Sequence, residues 1–134
     1  RNRKGLFLLA ATSNSEATAL QSAIGSNRDS VAGSITSFAS GLNAQPLGSV
    51  GVVIGAKTNL SKMGIDASEL AHTPILAPGF GAQGASVSNA RALFGDLSDG
   101  VLFNVSRSIA GDSAKGLRDR VKLAKEELQI GLSK

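Results

Sequence analysis

An α/β fold of four consecutive strand–helix units around a parallel sheet is the class this sequence predicts, and two observations predict it. Four short runs, Gly5–Ala11, Val52–Ala56, Ile75–Ala77 and Val101–Val105, are almost wholly apolar, as expected of strands covered on both faces in a parallel sheet. Each run ends in a polar or glycine-rich loop, and helix-compatible sequence separates it from the next. Such alternation implies right-handed crossovers between parallel strands.

The first strand, Gly5–Ala11, ends in Thr12-Ser13-Asn14-Ser15, and Glu16–Ile24 is helix-compatible up to the break at Gly25-Ser26-Asn27. Asp29 is a cap for a second helix, in which Val31, Ile35, Phe38 and Leu42 recur at helical spacing and form the face expected to pack on the sheet. Gly48–Gly51 leads into the strand Val52–Ala56, which ends in Lys57-Thr58-Asn59. Asp66-Ala67-Ser68-Glu69 has capping-box form and starts a short helix through Leu70. Pro74 fits a first strand position, Ile75-Leu76-Ala77 is the strand, and Pro78-Gly79 is expected to end it. A helix from about Ser88 to Phe94 leads to Val101–Val105. After Arg107, Asp112 caps the last helix, whose stripe of Leu117, Val121, Ala124 and Leu128 is expected to be core.

At 134 residues the chain can form one modest domain with a sizeable core. Apolar residues make up 42% and charged residues 18%, which excludes a charge-driven disordered chain. With no cysteine there are no disulfides or thiolate metal sites. The net charge is +4 and the sequence pI about 9.9, yet the positive residues cluster at Arg1–Lys4 and in Lys115–Lys134 with no aromatic platform among them, so no nucleic-acid partner is expected. The apolar runs fall far short of the ~20 residues of a membrane helix, and a soluble, cytoplasmic protein without a membrane partner is expected. The first residue is arginine and the first strand begins almost at once, so the chain reads as part of a larger protein. Two architectures fit four units: an open flavodoxin-like sheet and a segment of a (β/α)₈ barrel. A full barrel takes about 250 residues, so four units in 134 fit half of one.

In either architecture the loops after the strands form the functional face. The richest of them is Pro78-Gly79-Phe80-Gly81-Ala82-Gln83-Gly84, where the glycines clear space for backbone N–H groups to approach an anion and Gln83 offers an amide donor and acceptor. The next strand ends in Ser106-Arg107-Ser108, so adjacent parallel strands bring Gln83 and Arg107 to one edge, where a phosphate meets a guanidinium fork. Gly79-x-Gly81-x-x-Gly84 also matches the dinucleotide fingerprint. The acidic residue that fingerprint needs at the end of the next strand is absent, since Asn104-Val105-Ser106-Arg107 stands there. For Arg107 the competing reading is a surface or interface ion pair. Ser13 sits at a strand end where it can touch a ligand, and equally in capping-box spacing with Glu16. Lys57 has no carboxylate nearby in sequence and reads as solvated. His72 is the only histidine, so it supports neither a metal cluster nor a Ser-His-Asp set, and it is expected to cap or pack near Pro74.

Leu8-Leu9-Ala10-Ala11-Thr12-Ser13-Asn14, Gly51-Val52-Val53-Ile54-Gly55-Ala56, Leu76–Gly84 and Val105-Ser106-Arg107 together resemble the orotidine 5′-phosphate decarboxylases, in the longer form found in actinobacteria. The resemblance covers the chain but only the C-terminal half of that family's TIM barrel, strands five to eight, with the N-terminal half missing. It implies that Arg107 binds the phosphate of orotidine 5′-phosphate, helped by the amides of Ser106 and Arg107. Gln83 then bridges phosphate and pyrimidine, Pro78 and Phe80 lie beside the base, and Ser13 bonds the pyrimidine edge near the departing carboxylate. It further implies a homodimer that converts orotidine 5′-phosphate to UMP and CO₂ without cofactor or metal. The family's catalytic Asp-x-Lys-x-x-Asp array has no counterpart in this sequence, so no catalytic residue is assigned and the segment alone is expected to be inactive. The rival expectation is a stand-alone, non-enzymatic phosphate-binding α/β module. The sheet edges discriminate, because a half-barrel leaves its first and last strands unpaired. A different phosphate-binding barrel, an isomerase or aldolase, would share Arg107 and fail on the Gln83 loop.

Overall fold

The computed structural model describes residues 4–44 and 47–133; Arg1–Arg3 and Lys134, the ends of the two basic clusters, lie outside them. The apolar runs form β1 (Leu6–Ala11), β2 (Val50–Ile54), β3 (Ile75–Phe80) and β4 (Val101–Val105). They make one sheet in the order β1-β2-β3-β4, with every neighbouring pair parallel. The helices are α1 (Ser15–Gln21), α2 (Val31–Gly41), α3 (Ala90–Phe94), α4 (Arg107–Ala110) and α5 (Leu117–Leu132). Strictly sequential strand order decides between the two architectures. A doubly wound sheet reverses direction at a switch point, whereas sequential right-handed crossovers put every connection on one face, as in a barrel wall. No helix among the described residues is long and apolar enough to cross a membrane.

The covered face carries Val52, Ile75 and Ala77, all buried, with Leu8, Val101 and Phe103 packed against them. The opposite face presents a row in register, Leu9 against Val53, Val53 against Leu76 and Leu76 against Leu102. Leu9 is 59% exposed and Leu102 53%. The expectation that these strands are covered on both faces is therefore corrected: their second face is apolar but bare here. β1 and β4 are the two edges of the sheet.

Small residues dictate how the helices approach. On α2 the buried residues are Ala32, Gly33, Thr36 and Ala39, whereas Phe38 and Leu42 are exposed. Of the predicted Val31/Ile35/Phe38/Leu42 face, Val31 and Ile35 are half-buried, with Ile35 packed against the core, and Phe38 and Leu42 are not part of the buried face. Short side chains let this helix lie closer to β1 and β2 than Phe38 would allow. Its cap is Ser30 rather than Asp29: Ser30 Oγ accepts from Gly33 N at 2.8 Å and donates to Met63 O at 2.5 Å, joining the helix to the next crossover.

Other boundaries move for local reasons. Pro78 does not end β3, because its carbonyl still accepts from Ala56 N at 2.8 Å and a register shift between Ala77 and Phe80 absorbs the missing N–H. α1 stops at Gln21, which turns inward to bond Thr12. The β2–β3 crossover holds only 3₁₀ turns, Ser61–Met63 and Ala67–Leu70. The second of these is capped by Asp66, whose carboxyl is held below the usual range by hydrogen bonds from the Ser68 hydroxyl and amide. The predicted Ser88–Phe94 helix begins as a 3₁₀ turn at Val87–Asn89. Asp112 caps nothing: Arg107–Ala110 is a separate short helix, and α5 starts after Gly116 in the left-handed conformation. The α5 stripe is core only in part, with Ala124 and Leu128 half-buried and Leu117 and Val121 exposed.

Phe103 is the hinge of the core, edge-on to Phe80 at 5.4 Å and to Phe94 at 6.0 Å. Each such pair adds about 0.5–1.5 kcal/mol beyond its burial. Removing the α2 cap tests the packing argument. Ser30→Ala is expected to cost about 1–2 kcal/mol, seen as a lower urea midpoint at unchanged m-value.

Candidate functional site

Parallel pairing of Ile75 with Val101 and of Ala77 with Phe103 carries β3 and β4 to the same edge. The loop after β3 is a closed turn: Gly81 N donates to Ala85 O at 2.8 Å, Gly84 N to Gly81 O at 2.8 Å and Ala85 N to Gly79 O at 3.3 Å. The amides of Gly81 and Gly84 are thus spent inside the turn. The service of these glycines is conformational and steric, and Gly81 shows both. It has φ +74°, and a methyl group on it would lie 2.3 Å from Ser108 Oγ. Among the described residues, the amides of Ala82 and Gln83 in this loop, and those of Ser106, Arg107 and Ser108 after β4, donate no hydrogen bond.

Two adjoining cavities open at this edge and share Pro78 and Gln83. One, of about 160 Å³, is lined by Pro78, Gly79, Phe80, Gln83, Ser106 and Arg107, with Ala82 and Asn104 completing it. The other, of about 490 Å³, is lined by Thr12, Ser13, Asn14, Gly55, Lys57, Pro78 and Gln83. The first is smaller than the roughly 300 Å³ of an ordinary small-molecule site and suits a compact group such as a phosphate; the second is large enough for a ring. All six residues singled out from the sequence, Ser13, Pro78, Phe80, Gln83, Ser106 and Arg107, thus border one continuous region. Arg107 is exposed and makes no ion pair among the described residues.

Phe80 lines the smaller cavity from within the core: it is 3% exposed and its ring is packed on Phe103. Ser13 is no helix cap. The residue before α1 is Asn14, and Ser13 is pressed onto Gly55, where a methyl group would come 2.4 Å from its Oγ. Its neighbours are anchored, Thr12 by Gln21 and Asn14 by Glu16 at 3.2 Å. A bond from its own backbone amide, then one from Asn14, hold the Glu16 carboxyl below the usual glutamate range.

Lys57 is exposed, as expected of a solvated lysine, and a methyl on Gly84 would sit 2.8 Å from its Nζ, so the ammonium lies against the glycine loop. Only its place at a strand end hinted at this. His72 is exposed at the opposite end of the sheet, its carbonyl accepting from Gly48 N. Among the described residues no group of three or more His, Cys, Asp or Glu side chains could hold a metal ion.

Sequential parallel strands with a polar, glycine-rich rim at their C-terminal ends define part of a TIM-type barrel, with the candidate site on its upper face. No protein-family model matches the sequence. The orotidine 5′-phosphate decarboxylase of Salinispora arenicola is 44% identical over 124 residues, which are 87% of this chain and 44% of that protein. A solved structure from Streptomyces avermitilis, provisionally named orotidine 5′-phosphate decarboxylase, superposes with a TM-score of 0.84 at 36% identity, over 97% of this chain and 46% of that one. Leishmania donovani UMP synthase superposes with a TM-score of 0.68 at 28% identity, over 98% of this chain and 29% of that one. The chain is homologous to a fragment-sized part of the orotidine 5′-phosphate decarboxylases and spans less than half the length of the curated relatives it matches.

Two outcomes check the site geometry. Gly55→Ala should drive Ser13 out of the larger cavity and weaken ligand binding by roughly 10- to 100-fold, measurable by calorimetry, as misplacement of a positioning contact does. Glu16 should titrate below an ordinary glutamate by NMR. Its contribution to stability is present at neutral pH and lost as the pH falls through that lowered pKa, and Asn14→Ala should move the titration upward.

Proposed function

We propose that this chain is the phosphate- and pyrimidine-binding half, strands five to eight, of an orotidine 5′-phosphate decarboxylase, the carboxy-lyase that forms UMP and CO₂ in pyrimidine biosynthesis. The observation that carries the reading is the pair of cavities joined at Pro78 and Gln83, one ending at Arg107 and the other at Ser13. A nucleotide monophosphate has the matching shape, a compact anion tethered to a flat polar ring.

In this reading Arg107 supplies the guanidinium fork to the phosphate, and the amides of Ser106 and Arg107, with those of Ala82 and Gln83, complete its shell. The Gln83 side chain spans both cavities and reaches phosphate and pyrimidine together. Pro78 forms an apolar wall beside the ring, and Ser13 places a hydroxyl on the ring edge. None of these groups moves a proton at the reacting carbon. Their work is to convert remote phosphate binding into orientation of the ring for a lysine and aspartate array carried outside this chain. A cytoplasmic homodimer is the setting this reading implies. The bare apolar row of Leu9, Val53, Leu76 and Leu102 disfavours the rival stand-alone module, which would have to leave that surface in water.

In the complete enzyme, Arg107→Ala should lower kcat/KM for orotidine 5′-phosphate by about 2–4 kcal/mol of transition-state stabilisation, roughly 30- to 900-fold. Steady-state assays giving wild-type kinetics for that variant would overturn the assignment.

A further inference from the structure

Arg120, on the first turn of α5, has its guanidinium wrapped by backbone. Nε donates to Ile109 O at 2.6 Å, Nη1 to Lys115 O at 2.7 Å, and Nη2 to Ala110 O at 2.9 Å and Ser113 O at 2.8 Å. A guanidinium has five N–H donors, so four of them are committed and little remains for a ligand. No carboxylate pairs with it among the described residues. The segment around it is shaped to fit. Gly111 and Gly116 have φ of +58° and +72°, and methyl groups on them would sit 3.2 Å from the Arg120 Cζ and 3.3 Å from its Nη1. The loop between α4 and α5 is therefore coiled around one cation, with glycines at both of its ends.

Ile109 and Ala110 are the last residues of α4, whose first is Arg107. α4 packs on α5, and two of the Arg120 bonds end on its last two residues. The same short helix carries Ser108, which lies against Gly81 of the Gln83 loop. Holding α4 thus fixes two things at once: the direction of Arg107 and the seating of the glycine loop.

We propose that Arg120 is a positioning residue for phosphate recognition, acting through α4 on Ser106-Arg107 and on the Gly81–Gln83 turn without touching substrate. The inference rests on the function proposed above. A role in folding alone would slow all substrates alike, whereas a role in aligning the phosphate grip acts only on substrates that carry phosphate.

The test measures kcat/KM in the complete enzyme for orotidine 5′-phosphate and for phosphate-free orotidine, and takes their ratio. Arg107→Ala serves as the reference and should collapse that ratio. Arg120→Ala should lower it by roughly 10- to 100-fold, chiefly through KM for the nucleotide. Arg120→Lys should show the same selective loss, because one ammonium cannot replace a planar fork on four carbonyls. Gly111→Ala keeps the guanidinium but crowds it and should lower the ratio as well, which preserves the test if Arg120→Ala fails to fold. An unchanged ratio in the Arg120 and Gly111 variants, with the ratio collapsed in Arg107→Ala, overturns the positioning role alone. An unchanged ratio in Arg107→Ala overturns the phosphate reading and this inference with it.

Discussion

Parallel pairing of β3 with β4 is the constraint on which the site depends. Hydrogen bonds along Ile75–Ala77 and Val101–Phe103 leave both strands pointing the same way, so two loops far apart in sequence emerge side by side. The register then slips between Ala77 and Phe80, where Pro78 offers no N–H, and the strand end is free to turn into the glycine loop while Ala56 still holds the Pro78 carbonyl. The same slip turns the Phe80 ring inward onto Phe103. The site therefore stands directly on the aromatic centre of the core, and a change in that packing would be felt at Gln83.

Around Ile54, Leu70 and Ile75 much of the remaining core is made from small side chains. Ala10, Ala11, Ala32, Ala39 and Ala77 are fully buried, and none of them fills much volume. Close approach of helix and sheet replaces bulk, with dispersion contacts between backbones doing what leucines do elsewhere. Such an interface tolerates little enlargement. Hydrogen bonds such as Ser30 to Met63 and Asn43 to Val50 then tie helices and loops to their neighbours at positions where no large apolar group could anchor them.

Strands were legible because apolar runs have few other uses at this length, and β1, β2 and β4 fall within two residues of where the runs place them. The helix faces were less so. A pattern search weighs Phe38 and Leu42 above Ala32 and Ala39, whereas the packing selects the short residues. Caps misled for a related reason: Asp29 and Ser30 are both competent, and only the distant Met63 carbonyl distinguishes them. At the site, strand-end logic located Ser13, Gln83 and Arg107, but it could not show that Phe80 turns inward. Arg120 was invisible, since its partners are carbonyl oxygens, which every residue possesses and no sequence pattern marks.

Sequential strand order has a consequence for how the chain is made. Each strand pairs only with its neighbours in sequence, so β1 can close on β2 as soon as both have left the ribosome, and β3 and β4 can add in turn without rethreading. Order of synthesis and order of assembly coincide. The bare row from Leu9 to Leu102 is the exception, because it grows by one strand with each addition and nothing within these four units shields it. Vectorial folding thus enlarges an aggregation-prone surface at the same pace as it builds the sheet, which makes the interval before that face is covered the one in which a chaperone has most to offer.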